Sequence, residues 1–227
     1  MDAFNDAVRE VQAQTHSWTT SEGRYLLILD YDGTLTPIVH DPKDAILSKE
    51  QHAVLESLAS HPLVQIWIVS GRDKGFLSSQ FQSPKIALVA EHGAFWRKEG
   101  QHTWVDITAQ LDFSWVPEVQ RAFDGLCTTV PGTRVESKAA AIVWHWRANQ
   151  HEGSIMAPAV QSLLQARASR QGWKVKATTG KCIVEVRPET ITKGGVVRQI
   201  LQQDSDFNHL PKHIFCAGDD ATDEGDQ

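Results

Sequence analysis

The sequence predicts an α/β protein in which a parallel β-sheet, covered by helices, is interrupted by an inserted α+β unit. Three observations lead to this prediction. Short apolar runs alternate with helical patterns toward both ends of the chain, a rhythm typical of parallel sheets. The middle of the chain instead shows paired strand-like runs, which are typical of antiparallel hairpins. The length of 227 residues fits one full domain or a core with an insert.

The first part of the chain shows the pattern expected of a core. Its short, mostly apolar runs predict buried strands. Ser48 and Gln51 form a capping box ahead of an apolar helical pattern, and His61-Pro62 ends this helix, since proline resists continuation. The predicted elements are a helix over 2–16, a strand over 25–29, a helix from 48 to about 61, a strand over 64–69, a helical stretch after 72, a strand over 86–90, and a hairpin with its turn near 99–100.

The remaining elements divide the chain into a core and a cap. In the middle we predict a helix over 116–127, strands over 133–138 and 140–147, a helix over 155–170, and strands over 173–178 and 182–187 around Thr179-Gly180. A helix over 194–203 and a strand over 213–217 then resume the parallel pattern. The simplest topology is a Rossmann-like core formed by 1–110 and 191–227, with an inserted α+β cap domain over 111–190 and hinges near 108–113 and 188–192.

Composition and charge exclude several classes of function. The net charge of −6 disfavours nucleic acid or an anionic membrane surface as the main partner, because either would favour a basic face. No apolar run approaches the roughly 20 residues of a membrane span, and no secretory signal is visible. Three isolated cysteines, Cys127, Cys182 and Cys216, suit a reduced compartment, so we predict a cytoplasmic protein.

The clearest chemical signal is Asp30-Tyr31-Asp32-Gly33-Thr34, directly after the first predicted strand. In an extended segment, residues i and i+2 point the same way, about 7 Å apart, so both carboxylates would share one edge of the sheet. Such crowding requires a cation between them or a proton on one of them, as a nucleophile with a general acid would provide. Tyr31 would point to the opposite side and pack. The alternative is a plain Asx/Gly turn at the end of a strand.

Three later segments carry polar groups suited to a phosphate ester. Ser70-Gly71-Arg72 follows the second predicted strand, where a hydroxyl and backbone N–H groups can meet a phosphate. Lys193 precedes a predicted helix and can supply positive charge to a phosphoryl group or to the first carboxylate. The acidic run over 218–224 follows the last predicted strand, and its oxygen ligands are those that Mg²⁺ prefers.

Taken in order, these motifs resemble the haloacid dehalogenase superfamily of phosphotransferases with a C2-type cap. The four superfamily motifs correspond to Asp30 with Asp32, to Ser70, to Lys193, and to Asp219 with Asp223. Within that superfamily, the segments Leu-Asp-Tyr-Asp-Gly-Thr-Leu-Thr-Pro, Ser-Gly-Arg, Glu91-His92-Gly93 and Gly-Asp-Asp-x-Thr-Asp-Glu resemble the trehalose-6-phosphate phosphatase family. The cap segments Glu136-Ser137-Lys138 and Gly180-Lys181-x-x-x-Glu185-x-Arg187-Pro188 resemble its fungal members.

The resemblance implies a role for each motif. Asp30 would attack phosphorus and carry an aspartyl-phosphate, while Asp32 would protonate the leaving sugar oxygen and then activate water. It further implies phosphate binding by Ser70, Gly71, Arg72 and Lys193, with Lys193 also catalytic. Magnesium would be bound by Asp30, Asp32, Asp219 and Asp223, with the backbone carbonyl of Asp32 as ligand and Asp223 ordering a metal-bound water.

The cap is expected to bind the sugar. Glu136 and Lys138 alternate onto one face of a presumed strand, and Lys181 and Glu185 are expected to do likewise on another. Carboxylates accept and ammonium groups donate hydrogen bonds, which suits sugar hydroxyls, although the same charges would also suit a solvated strand face. His92 is the one histidine that we assign to substrate binding.

The implied function is Mg²⁺-dependent hydrolysis of trehalose 6-phosphate in trehalose biosynthesis. The alternatives are a phosphatase for another sugar phosphate, such as sucrose 6-phosphate, a phosphomutase of the same superfamily, and a catalytically silent domain that binds sugar phosphate or acts as a scaffold. In the family the last motif normally leads into further sheet and helix, so we expect the second part of the core to be truncated at Gln227. The resemblance also implies association with a trehalose-phosphate synthase in a longer chain or complex.

Overall fold

A computed structural model describes residues 23–39, 41–205, 211 and 213–219, with backbone alone over 203–205. The predicted helix over 2–16 lies outside the described residues. Five helices and ten strands are described. In chain order they are β1 (Tyr25–Leu29), α1 (Lys49–Ala59), β2 (Val64–Val69), α2 (Lys74–Gln80), β3 (Ile86–Ala90), β4 (Phe95–Arg97), β5 (Val105–Asp106), α3 (Val116–Thr129), β6 (Arg134–Ser137), β7 (Ile142–His145), α4 (Gln150–Gln171), β8 (Val175–Gly180), β9 (Ile183–Pro188), α5 (Lys193–Ser205) and β10 (His213–Ala217).

Two compact units divide the chain, and the second is inserted into the first. One unit comprises residues up to Asp106 together with those from Thr192 onward, and the other comprises Ile107–Ile191. The first contains the six-stranded sheet with strand order β10-β1-β2-β3-β4-β5, and the second contains the four-stranded sheet β6-β7-β9-β8. Among the described residues, no helix is both long enough and apolar enough to cross a bilayer.

The core sheet is parallel across β10, β1, β2 and β3, as predicted. Leu29 pairs with both Ala217 and Ile68, so β1 ends level with both of its neighbours. The carboxyl ends of these strands therefore lie along one edge of the sheet. β4 and β5 are antiparallel additions, and the predicted turn at Glu99-Gly100 connects them.

The cap sheet is antiparallel and presents one apolar and one polar face. Apolar side chains on one face of the sheet pack against α3 and α4 in a buried cluster. The sheet contributes Ile142, Trp144, Val184 and Val186, and the helices contribute Val119, Phe123, Ala157 and Val160. The alternate positions lie on the opposite face, because successive side chains of a strand point to opposite sides. In register across the sheet, that row contains Glu136, Val143, Glu185 and Thr178.

Several boundaries in the cap differ from the prediction, and two of these differences have a local cause. Helix α4 begins at Gln150 rather than 155, because the side chain of Asn149 caps it by accepting from the Glu152 N–H. The hairpin between β8 and β9 turns at Lys181 and Cys182 rather than at Thr179-Gly180. Gly180 pairs with Ile183 across the turn, and Cys182 has a left-handed φ of 63°.

Candidate active site

The first aspartate of the predicted pair lies in a buried ion pair. Its N–H donates to the carbonyl oxygen of Ala217 at 2.9 Å, which extends the β1–β10 ladder by one residue and places Asp30 at the sheet edge. Lys193, the first residue of α5, brings its Nζ to 2.8 Å from Asp30 Oδ1. Both side chains are 6% exposed, so this is a buried pair of opposite charges.

The second aspartate is bound by a different cation. Arg72 donates from Nε to Asp32 Oδ2 at 2.7 Å and from a terminal nitrogen to Oδ1 at 2.5 Å, a bidentate pair. The guanidinium carbon of Arg72 also lies 4.4 Å from the ring centre of Phe76. Burial alone would lower the pKa of Arg72, but hydrogen bonding and the charge of Asp32 raise it. Arg72, predicted to bind phosphate, therefore clamps Asp32 in this structure.

Tyr31 separates the two aspartates and packs into the core, as predicted. Its side chain is fully buried, and its hydroxyl donates to the carbonyl oxygen of Ala45 at 2.7 Å. Burial, together with the charge of Asp32, raises the pKa of the phenol. The Tyr31 carbonyl accepts from the N–H groups of both Leu35 and Thr36 at 3.0 Å, which closes the loop after β1. The loop that carries both aspartates is thus anchored at its centre.

The third predicted acid, Asp219, lies against the same loop. Gly33 has a φ of 83°, and a Cβ built on it would lie 2.0 Å from Asp219 Oδ2. Only glycine leaves room for this carboxylate beside the loop of Asp30 and Asp32. Asp223 lies outside the described residues. Within the described ranges, no three or more His, Cys, Asp or Glu side chains are grouped closely enough to hold a metal by themselves.

The Ser70–Arg72 loop follows β2 at the same edge. Ser70 is 1% exposed; its N–H donates to Val89 O at 3.0 Å, and its Oγ accepts from the Arg72 N–H at 3.2 Å. A turn at Glu91–Gly93 lies against this loop, and it includes His92, predicted to bind substrate. The structure therefore places His92 in the core unit, beside Gly71.

In the cap, Glu136 lies close to a histidine and an arginine. His145 Nε2 lies 2.7 Å from its Oε2, and the closest nitrogen of Arg134 lies 3.5 Å from the same oxygen. The His145 hydrogen bond, opposed by burial and assisted by the charge of Lys138, lowers the pKa of Glu136 to about 2. Sequence reasoning missed His145. Its position opposite Arg134 in the β6–β7 ladder is the signal, and that requires the hairpin register.

The second predicted cap pair is not arranged as expected. Lys181 is exposed in the β8–β9 turn, two residues before β9 begins, so the prediction that it alternates with Glu185 along one strand is wrong. The left-handed backbone at Cys182 is the cause, since it ends the strand pattern. Glu185 is buried on β9 and accepts instead from Arg187 Nε at 3.2 Å. Arg187, for which no role was predicted from the sequence, is the hydrogen-bond partner of Glu185.

Comparison with known proteins places this site in a family. Residues 28–226 match the trehalose-phosphatase family. A trehalose-phosphatase of Schizosaccharomyces pombe is 43% identical over 201 residues, and a bifunctional trehalose-6-phosphate synthase/phosphatase of Thermoproteus tenax is 37% identical over 203 residues. These matches cover 88% and 89% of this chain but 24% and 26% of the relatives, so the chain spans about a quarter of their length.

A solved structure shares the fold as well as the sequence. The C-terminal domain of C. albicans trehalose-6-phosphate phosphatase superposes with a TM-score of 0.82 at 38% identity, over 89% of this chain and 72% of that one. The family match begins within β1 and includes Asp30, Asp32, Ser70, Lys193 and Asp219. By this match, which covers most of its length, the chain belongs to the trehalose-phosphatase family.

Proposed function

We propose that this chain hydrolyses trehalose 6-phosphate to trehalose and phosphate. The observation that carries the proposal is the pair Asp30 and Asp32 at the sheet edge, each bound to its own cation, Lys193 or Arg72. Attack of a carboxylate on a phosphate dianion is opposed by charge, so a site for it needs fixed positive groups. Membership of the trehalose-phosphatase family supports this assignment.

Asp30 and Asp32 would carry the covalent steps. A carboxylate oxygen of Asp30 forms a bond to phosphorus, the bond from phosphorus to the sugar oxygen breaks, and Asp32 gives that oxygen its proton. Water then attacks the aspartyl-phosphate and releases phosphate, while Asp32 takes a proton from the water. Asp30 and Asp32 are restored, and water has been added across the ester.

The remaining core residues would bind the phosphoryl group. Ser70 and the backbone N–H groups of its loop are hydrogen-bond donors suited to phosphate oxygens. Lys193 compensates the charge of Asp30 and, at the same edge, that of the phosphoryl group. Arg72 was assigned to the phosphate from sequence; its bidentate bond to Asp32 supports a second role, in orienting the acid and base.

The chemistry of the acids suits magnesium. Asp30, the Asp32 carbonyl and Asp219 offer the hard oxygen ligands that Mg²⁺ prefers, and Gly33 leaves space for the Asp219 carboxylate beside this loop. Asp223 would complete the set from outside the described residues. When bound, the ion would offset the negative charge that collects on the phosphoryl group.

The polar face of the cap sheet would bind the sugar. Glu136 and Glu185 occupy one row of this face and can accept from hydroxyl groups, while Lys138 and Lys181 can donate. In the exposed turn, Lys181 would reach the sugar from the edge of the sheet rather than from the row of Glu185. His92 stays a core residue in this scheme. A synthase region in a longer chain or complex is the proposed partner, by analogy with the bifunctional relative.

Phosphate release from a panel of sugar phosphates tests the proposal. We expect this chain to release phosphate from trehalose 6-phosphate in preference to sucrose 6-phosphate and glucose 6-phosphate, to lose activity in EDTA, and to regain it with Mg²⁺. Asp30→Asn should abolish release while leaving the circular dichroism spectrum unchanged, whereas Asp44→Asn, at an exposed position, should not alter release. Normal rates in Asp30→Asn, or release indifferent to EDTA, would contradict the scheme.

A further inference from the structure

A tight turn over Glu91–Gly93 follows β3 and has an unusual backbone. Three successive residues have positive φ angles: 48° at Glu91, 57° at His92 and 126° at Gly93. Left-handed backbone is uncommon outside glycine, and it persists only where the surrounding structure fixes it. The contacts of this turn therefore indicate which segments of the site it supports.

The turn is hydrogen-bonded to the predicted phosphate loop at both ends of that loop. The Glu91 N–H donates to the carbonyl oxygen of Arg72 at 2.9 Å, and the His92 N–H donates to that of Ser70 at 3.0 Å. Both bonds use backbone groups that the left-handed conformation directs toward the loop. Ser70 and Arg72, the residues that flank Gly71, are thereby fixed to the end of β3.

The side chain of His92 lies directly on Gly71. A Cβ built on Gly71 would lie 2.5 Å from Nε2 and 2.6 Å from Cε1 of the imidazole, and the third nearest atom, at 3.4 Å, also belongs to this ring. The ring thus fills the space in which any larger residue at position 71 would place its side chain. No other heavy atom outside the neighbouring residues lies closer to that point than 3.4 Å.

The same turn also contacts the helix that carries Lys193. A Cβ on Gly93 would lie 2.8 Å from a methyl carbon of Val196, in the first turn of α5. Lys193, which begins α5, pairs with Asp30. One short turn therefore touches the two segments that supply Ser70, Arg72 and Lys193.

We infer that Glu91–Gly93 is a positioning turn, and that His92 is a positioning residue that acts through Gly71 rather than a residue that contacts the sugar. The inference rests on the proposed function for its catalytic consequence. The turn sets the place of Ser70 and, through the Arg72 backbone, the side chain that clamps Asp32. Since these groups meet the phosphoryl part common to every substrate, disturbing the turn affects all phosphate esters alike.

A paired substitution tests this role. Gly71→Ala places a methyl group against the His92 ring, and we expect it to lower kcat/KM by about tenfold or more, because small displacements of catalytic groups are costly. The loss should be equal for trehalose 6-phosphate and an aryl phosphate. His92→Gly removes the ring while glycine accepts the left-handed backbone, so it should itself lower kcat/KM equally for both substrates. In that background, Gly71→Ala should lower kcat/KM by much less than it does in the parent chain. Gly125→Ala, in an open position on α3, is the matched control.

Amide hydrogen exchange supplies a readout independent of turnover. Gly71→Ala should speed exchange of the Glu91 and His92 N–H groups by about tenfold, as loosened loops do, and His92→Gly should cancel that increase at Glu91. The inference would be overturned if Gly71→Ala lowered kcat/KM equally with and without the His92 ring. It would also be overturned if His92→Gly lowered kcat/KM for the sugar phosphate alone. Should the parent chain release no phosphate, the proposed function fails, while exchange still decides the role of the turn.

Discussion

Replacing Lys193 by methionine tests how much the buried ion pair contributes to stability. Lys193 and Asp30 lie 2.8 Å apart with side chains 6% exposed, so Lys193→Met leaves a carboxylate with neither solvent nor its cation. Removing one member of such a pair costs about 3–5 kcal/mol of unfolding free energy. Asp30→Asn should also lower the unfolding free energy, since it leaves a buried ammonium group without this carboxylate.

The double variant isolates the interaction free energy of the pair from the effects of the two single substitutions. In Asp30→Asn with Lys193→Met no charge remains, so we expect its cost to fall short of the sum of the single costs by about 3 kcal/mol. Urea titration followed by circular dichroism gives the four free energies. The control cycle uses Glu118 and Arg167 in the cap, which are joined by two hydrogen bonds but are exposed to solvent.

The two cycles differ strongly in burial. Solvent screens the exposed pair, and its coupling should be far smaller than that of the buried pair. Similar couplings in both cycles would refute the reasoning, because they would mean that the Asp30 site is as well hydrated as the cap surface. Both single variants and the double variant of the core pair should also abolish phosphate release.

Three further substitutions probe single contacts. Arg72→Lys loses the bidentate grip and should lower kcat by about 10- to 100-fold in initial-rate assays with little change in stability; an unchanged kcat would remove its orienting role. Tyr31→Phe leaves the Ala45 carbonyl without its donor and should cost about 1–3 kcal/mol by urea titration. Glu136 has a pKa near 2 instead of 4.5, so its stabilising effect, at most about 1 kcal/mol after screening, is complete above pH 4.5 and declines as pH falls toward 2. Glu136→Gln or loss of its partner His145 should flatten unfolding free energy against pH in that window.

The strands of the core could be predicted to the residue because two independent signals coincide there. β1, β2, β3 and β10 are short apolar runs, and each ends where a polar or glycine-containing segment begins. In β1, β2 and β3, burial on both faces of a parallel sheet demands nearly continuous apolar residues, so the run and the strand have the same length. The sequence order then brings the predicted polar segments to one sheet edge.

The cap was less predictable because its boundaries depend on single residues. Asn149 adds a first turn to α4 that contains little apolar pattern, and Cys182 adopts a left-handed backbone that its residue type does not favour. Pairings within the cap depend on strand register as well. His145 meets Glu136 only because β6 and β7 pair with Arg134 opposite His145, which no periodicity in either strand reveals.

In the core, residue types could be predicted but their pairing could not. A lysine for the first carboxylate was one of two expectations for Lys193, and the structure provides it. Arg72 was expected to serve a phosphate, yet its guanidinium lies on Asp32. The partner of Arg72 depends on the direction of the Ser70–Arg72 loop. The Glu91–Gly93 turn, which belongs to a different segment of the chain, is hydrogen-bonded to this loop.

The unequal exposure of the two aspartates matches the unequal tasks proposed for them. A nucleophile must be an anion held in one fixed place when it attacks phosphorus, and Asp30 is buried beside the ammonium group of Lys193. An acid that becomes a base must exchange a proton with the leaving group and with water, and the Asp32 side chain is 42% exposed. Arg72 fixes its orientation through two bonds without closing it off. Exchanging the two environments would leave the nucleophile mobile and the proton carrier isolated, so burial as well as order in the chain supports the proposed roles.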